Sequence, residues 1–296
     1  MVFHPPVAIV AKAGDAGKYK VGLPAWNMVM RGFMSGAYIA MGGALATVCS
    51  TGIAGTAGGA ASAGFAALIT GAVFPVGLII TVLTGAELFT GDAMLAPMAA
   101  FIHKISWAQV MNLWVWVYVG NIIGSLVYAY IMAYGPFSAW DAAGHGVVTG
   151  FGMRAIAIAS FKVQYVGAAA LWSAFLKGIA CNWLVNLAIL LGICADDAVG
   201  KFFGIWFPIM AFVSSGHEHS IANQYFIAAG IFTRDIGLTA AQAETTATML
   251  GYANLNWVGF WMNNMIIVTI GNIIGALFFV GVIYWVAFRK EIAALK

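Results

Sequence analysis

Five side chains able to carry or exchange a proton sit inside two otherwise apolar stretches of this chain. Glu87 and Asp92 belong to TGAELFTGD (Thr84 to Asp92), and His217, Glu218 and His219 belong to SSGHEHS (Ser214 to Ser220). A charged group at the centre of a bilayer costs at least about 2.5 to 3.5 kcal/mol, so an ionisable residue at such depth is usually functional. On the residues alone, His219 reads either as a titrating group or as a core histidine bonded to backbone. Glu87 and Glu218 hold equivalent places in the two stretches. Both copies keep the Glu while only the second has a His, which favours carboxyls that accept hydrogen bonds from exposed loop N–H groups over proton carriers. Asp92 reads as the cap of a half-helix beginning near Ala93. Cys49, Cys181 and Cys194 lie in apolar segments without CxxC or Cys/His spacing and read as small core residues, so no disulfide, metal site or cofactor is expected.

The elements that must hold these groups are membrane helices. The chain has 296 residues, 62% hydrophobic and only 8% charged, with a mean hydropathy of +0.93, whereas soluble domains carry roughly 25% charge. No Asp, Glu, Lys or Arg occurs from Gly32 to Ala86, from Ile105 to Trp140, or from Thr245 to Phe288. Each run exceeds the about 20 apolar residues a helix needs to cross a bilayer. The net charge of +3 is small and scattered, which excludes nucleic acid as a partner. Met1 to Lys20 carries no signal-peptide pattern, so the first span is expected to direct insertion.

Hydropathy marks four plain spans, at about Val29 to Val48, Val110 to Ala133, Gly178 to Cys194 and Trp257 to Phe288. Two further segments, Ala60 to Ile102 and Phe202 to Phe232, are each interrupted by one of the polar stretches, and neither half alone is expected to span. Irregular backbone at membrane depth is tolerated only inside protein or along a cavity. The chain also repeats itself. WNMVMRG (Trp26 to Gly32) returns as WSAFLKG (Trp172 to Gly178). Phe74-Pro75 followed by Gly85-x-Glu87 returns as Phe207-Pro208 followed by Gly216-x-Glu218. Asn112 followed by GNIIGSL (Gly120 to Leu126) returns as Asn263 followed by GNIIGAL (Gly271 to Leu277), and each glycine pair allows close helix approach.

Two copies of a three-helix unit follow, and an odd number of spans turns the second upside down. The fold class is therefore an all-α membrane protein of six transmembrane helices in two inverted three-helix repeats, with helices 2 and 5 broken at mid-membrane, an aquaporin-like architecture. It forms one channel domain over 1–296, with repeat 1 at about 24–134 and repeat 2 at about 170–288. Cytoplasmic termini would gather Lys12, Lys18, Lys20, Arg31, Lys104, Lys201, Arg289, Lys290 and Lys296 inside, against Arg154, Lys162, Lys177 and Arg234 outside, which favours N-in and C-in.

GAELFTGD, KGIACNWLVNLA (Lys177 to Ala188) and AFVSSGHEHSIAN (Ala211 to Asn223) give the chain a resemblance to the formate/nitrite transporter family over nearly its whole length. The resemblance implies a homopentamer in the plasma membrane, each protomer with its own pore for small monovalent anions, with protons and the lipid bilayer as further partners. It places His219 at the pore centre facing Thr90, with Glu218 beside it and Asn182 as a polar contact in the vestibule. Apolar constrictions fall on Phe74 and Phe212 on one side, and on Leu78, Leu88 and Val185 on the other, with Phe89 next to Leu88 in the same motif. Lys162 corresponds to a lysine that draws anions to the outer mouth, or else is an ordinary solvated lysine, since its spacing to Asn182 departs from the family pattern. His217 stands where relatives carry a bulky apolar residue, and reads as a loop polar contact or a second titrating group.

Magnitudes favour crossing as a near-neutral species. Moving a bare carboxylate into a low dielectric costs on the order of 20 kcal/mol, while protonating an acid of pKa near 3.5 at pH 7 costs about 5 kcal/mol. The anion is therefore expected to acquire or share a proton near His219. Formate is the first expectation, with nitrite, hydrosulfide, lactate and acetate as alternatives within the same class. The rival from another class is a redox-enzyme subunit binding haem or quinone through His217 and His219. A water or polyol channel is disfavoured because the NPA signature is absent.

Overall fold

The computed structural model describes residues 3–53 and 63–294, so the expected start of a span at Ala60 lies outside the described residues. Helix α1 (Pro6–Val21) opens with proline in its first turn, where a missing N–H costs nothing, and ends with Lys18 and Lys20 against its negative pole. Helix α2 (Ala25–Ser50) then runs the length of the bundle beside α6 (Trp107–Tyr134). Their contact explains the first glycine pair. A Cβ at Gly124 would stand 2.0 Å from the Phe33 carbonyl oxygen, and one at Gly120 2.3 Å from that of Val29. The second half repeats the arrangement between α8 (Ala168–Cys194) and α12 (Trp257–Ala294). A Cβ at Gly275 would meet the Ile179 carbonyl oxygen at 2.3 Å. Only glycine lets these backbones approach so closely.

Between α2 and α6 lie α3 (Ala63–Val73) and α4 (Val76–Thr84), joined through Phe74 and Pro75, then a loop, then α5 (Phe89–Phe101). Between α8 and α12 lie α9 (Ala198–Ser214), a second loop, α10 (Ser220–Ile236) and the short α11 (Ala240–Ala247). An antiparallel hairpin of β1 (Ser138–Trp140) and β2 (Gly146–Val148) leads into α7 (Gly150–Lys162) and is the one strand pair among the described residues. Helix α12 contains two π-helical stretches, Trp261–Met265 and Leu277–Val282.

Five helices are long and apolar enough to cross a membrane: Ala25–Ser50, Ala63–Thr84, Trp107–Tyr134, Ala168–Cys194 and Trp257–Ala294. Ala63–Thr84 corrects the expectation that neither half of a broken segment spans. Pro75 does not end the helix, because Gly77 bonds back to Phe74 at 3.2 Å and Ile79 to Pro75 at 2.9 Å. At 1.5 Å per residue the combined helix measures about 33 Å, against a hydrocarbon core of about 30 Å. Both ends of the described chain meet on one side of the bundle, where α1 packs against α5 and the end of α12, with Val10, Ala13 and Ile292 in one buried cluster. That end is called the α1 side, and the opposite end, which carries the hairpin and α7, the α7 side.

Candidate functional site

Both loops turn on a left-handed glycine, Gly85 at φ 76° and Gly216 at φ 72°, a conformation glycine adopts without strain. Each is then clamped by one asparagine from the long helix that follows. Asn121 accepts from the Phe89 amide at 3.0 Å and donates to the carbonyls of Gly32 at 2.8 Å and Glu87 at 3.0 Å. Asn272 accepts from the Ser220 amide at 2.8 Å and donates to the carbonyls of Gly178 at 2.8 Å and Glu218 at 2.9 Å. The Glu87 amide bonds the Arg31 carbonyl at 3.2 Å, and the Glu218 amide that of Lys177 at 3.3 Å. Neither asparagine was singled out in the sequence. The signal is the second residue of each GNIIG, a motif whose glycines alone account for close helix packing.

These clamps satisfy the loop backbone, so the carboxyls are free for side chains, contrary to the expected pairing with loop N–H groups. Glu87 pairs with Lys20, and its carboxylate lies 3.6 Å from Arg31. Glu218, fully buried, accepts from Lys162 and the Tyr165 hydroxyl on one oxygen, both at 2.9 Å. Its other oxygen accepts from Asn223 at 2.5 Å and Asn264 at 3.3 Å. Asp92 does not cap a half-helix. The α5 helix starts at Phe89 with Leu88 flanking it, which places Asp92 inside the first turn, where it meets Lys20 at 2.9 Å. Lys20 reaches the site from α1, distant in sequence, and the residues alone gave no signal for it.

Where the loops face one another, His219 Nε2 and Thr90 Oγ1 are 2.9 Å apart. His219 is also the N-cap of α10, its Nδ1 accepting from the Ala222 amide at 3.0 Å. An accepting Nδ1 puts the proton of the neutral ring on Nε2, so the imidazole donates to the threonine. The Thr90 carbonyl is held by the side-chain amides of Asn182 at 3.0 Å and Asn186 at 3.1 Å. Ile39, Phe74, Leu78, Leu88, Val185, Ile209, Phe212 and His219 line a slot with no room for a water-sized sphere. The Phe74 and Phe212 rings meet edge-on at 5.8 Å, and Phe212 stacks on His219 at 5.7 Å.

A cavity opens at each end of the slot. The one on the α1 side, about 240 Å³, is bordered by Lys20, Arg31, Glu87, Asp92, Lys201 and the slot's Leu78 and Leu88. The one on the α7 side, about 130 Å³, is bordered by Arg154, Lys162, His217, Asn223 and the slot's Phe74 and Phe212. Four expected pore residues line neither the slot nor a cavity: Thr90 and Glu218 lie behind the lining through the contacts just described, and Phe89 and Asn182 stand elsewhere. Phe89, one step along the helix from Leu88, turns away and packs edge-on against Tyr118 at 4.9 Å and Trp114 at 6.0 Å. Asn182 lines neither cavity, because its amide is committed to the carbonyls of Thr90 and, at 2.7 Å, Asn272. His217 does border the α7-side cavity, and its buried Nδ1 has no hydrogen-bond partner among the described residues.

A helical bundle with this many apolar spans, organised around a closed slot between two polar mouths, is a multi-pass membrane transport protein. The chain belongs to the formate/nitrite transporter family, whose model, described as "Formate/nitrite transporter", matches residues 7–286. The chain is 40% identical over 295 residues to a probable formate transporter of Methanothermobacter thermautotrophicus, covering 96% of this chain and 97% of that one. It is 30% identical over 287 residues to the formate channel FocA of Escherichia coli strain K12, covering 97% and 95%. The solved structure of a pentameric formate channel with formate bound matches with a TM-score of 0.73 at 32% identity, over 90% of this chain and 98% of that one. A solved FNT family ion channel matches with a TM-score of 0.74 at 25% identity, over 95% and 98%. The family is one of channels and transporters and not of enzymes, which sets the redox-subunit alternative aside.

Proposed function

We propose that the chain forms a homopentamer of six-span protomers in the plasma membrane, each conducting small monovalent anions, formate first among them, with both termini cytoplasmic. The α1 side is then the inner mouth and the α7 side the outer. The equal clamps of Asn121 and Asn272, on helices that start from opposite ends of the bundle, support two inverted repeats whose loops meet at mid-membrane. The observation that carries the function is the His219–Thr90 contact inside a slot that excludes water, between two mouths bearing cations.

An anion leaving either mouth loses its water at the slot and exchanges it for the hydrogens of His219 Nε2 and the Thr90 hydroxyl, which it reaches by parting the bond between them. Sharing Nε2–H is what the neutral ring offers. Full transfer requires Nδ1 to take up a proton and release its bond to Ala222, which couples conduction to proton supply. A near-neutral species then passes Phe74 and Phe212, or Leu78, Leu88 and Val185, without the cost of a bare charge. Flux in proteoliposomes tests this with formate, nitrite, hydrosulfide, lactate and acetate. Formate uptake is expected to rise with external acidity. His219→Asn, which hydrogen-bonds but does not titrate, is expected to lower flux by about tenfold and to flatten the pH profile. An unchanged profile in that variant refutes the proton role.

A further inference from the structure

The α7-side cavity is bordered by two basic side chains whose situations differ. Arg154, Ile158 and Lys162 follow one another along a single face of α7, and all three border the cavity. The Lys162 ammonium is 2.9 Å from the Glu218 carboxylate and its charge is matched. Arg154 has no carboxylate partner among the described residues. Its Nε donates to the Ser50 hydroxyl at 3.2 Å, and that hydroxyl donates to the Thr47 carbonyl at 3.3 Å. Residues 54–62, outside the described set, contain no Asp or Glu. The guanidinium is thus steered by a neutral hydroxyl, and its two terminal nitrogens have no hydrogen-bond partner among the described residues. His217 adds to the same wall a buried Nδ1 without a partner.

We propose that Arg154 and His217 form an anion-docking site at the mouth on the α7 side, for planar two-oxygen anions of the formate type, and that Arg154 rather than Lys162 supplies the unbalanced charge that draws them in. The site deepens the functional reading above and rests on it. A guanidinium presents parallel N–H groups that match two carboxylate oxygens, whereas an ammonium offers only a point charge. Lys162, bound to Glu218, keeps a buried carboxylate compensated and acts on the fold of the loop.

Initial rates of formate uptake across a range of external concentrations test the assignment in proteoliposomes. Arg154→Gln is expected to raise the half-saturating concentration about tenfold with little change in maximal rate, and to remove most of its salt dependence. Arg154→Lys is expected to stay about threefold weaker than the native protein, and His217→Leu likewise. Lys162→Met is expected to lower the folded yield or the maximal rate instead. An unchanged half-saturation in Arg154→Gln, or a shift found in Lys162→Met alone, overturns the proposal. Full recovery in Arg154→Lys removes the fork from it, and native behaviour of His217→Leu removes that residue. Native protein that carries no formate refutes the functional reading instead. Broadening of the formate NMR line by purified protein then decides the site: broadening lost in Arg154→Gln supports it, and equal broadening overturns it.

Discussion

The loop on the α1 side and the loop on the α7 side are built by the same rules and carry different chemistry. Each has a left-handed glycine, a glutamate two residues later, an asparagine clamp, and a cation from the repeated tryptophan motif lying beside a tyrosine. Arg31 is 3.2 Å from the Tyr19 hydroxyl, and Lys177 is 3.2 Å from that of Tyr165. The residue after the glutamate is Leu88 in one loop and His219 in the other, and two positions further the pairing is Thr90 against Ile221. The central contact takes its threonine from one repeat and its histidine from the other. The two loops share one scaffold, and the polar centre lies where their residues differ.

Charge is where the two mouths differ most, and removing one lysine from each measures it. Lys20 compensates Glu87 and Asp92 together, while Lys162 compensates Glu218 alone, and both lysines are about 15% exposed. Breaking a buried pair by removing one partner typically costs about 3 to 5 kcal/mol. Lys20→Met should reach the upper end of that range, because it strips Asp92 of its cation and leaves Glu87 only Arg31 at 3.6 Å, and Lys162→Met the lower, because Glu218 keeps Tyr165, Asn223 and Asn264. Thermal unfolding of the purified variants in detergent gives the order. Equal destabilisation would mean that the two mouths share the load alike.

The clamps make the opposite claim, that the halves are equivalent. Asn121→Leu and Asn272→Leu each remove three hydrogen bonds, leave one amide and one carbonyl of a buried loop unpaired, and take a second donor from a helix carbonyl, that of Gly32 or Gly178. At about 1 to 3 kcal/mol for a buried group left without a partner, partly relieved by relaxation, each should lose about 2 to 4 kcal/mol. The two losses should agree within about 1 kcal/mol. A large inequality in thermal stability would show that one loop has other support.

Much of this arrangement was legible, and unevenly so. The spans were readable because apolar runs survive in one dimension, and Leu88, Val185, Phe212 and His219 because they lie inside ordered motifs, whereas Ile39 and Ile209, which also line the slot, lie outside every motif. Three things were not. Lys20 belongs to a helix that folds back from outside either repeat, so nothing near Glu87 announces it. Asp92 suggests a cap only if the half-helix starts at Ala93, and a start at Phe89 turns the same residue into an ion-pair partner. Asn121 and Asn272 were visible in both copies of GNIIG, but close packing was an adequate account of the motif, and only the fold brings each asparagine to its loop.

The smallest expected effect lies beyond the spans, where the α7 side carries a titrating hairpin and the α1 side joins α5 to α6 by a short turn. Asp141 accepts from the backbone amides of Ala143 at 2.8 Å and His145 at 2.9 Å, and from His145 Nδ1 at 3.0 Å. These bonds, the His145 amide foremost, hold its carboxyl below the usual carboxylate range. A depressed value means that the ordered hairpin binds the proton less readily than the open one. Its contribution is therefore present above the ordinary carboxylate value, about pH 4, and is lost as the pH falls through the lower folded value. Trp140 reports the change, since it stacks on Tyr134 at 5.9 Å and its indole donates to the Tyr134 carbonyl at 3.0 Å. Asp141→Asn keeps an oxygen for the two amides and removes the titration. Acid-induced changes in tryptophan emission should shrink, while formate uptake near neutral pH stays at the native rate, because the residue touches neither cavity nor slot. A drop in uptake with this substitution would tie the hairpin to the mouth on its own side and extend the difference between the two ends into conduction.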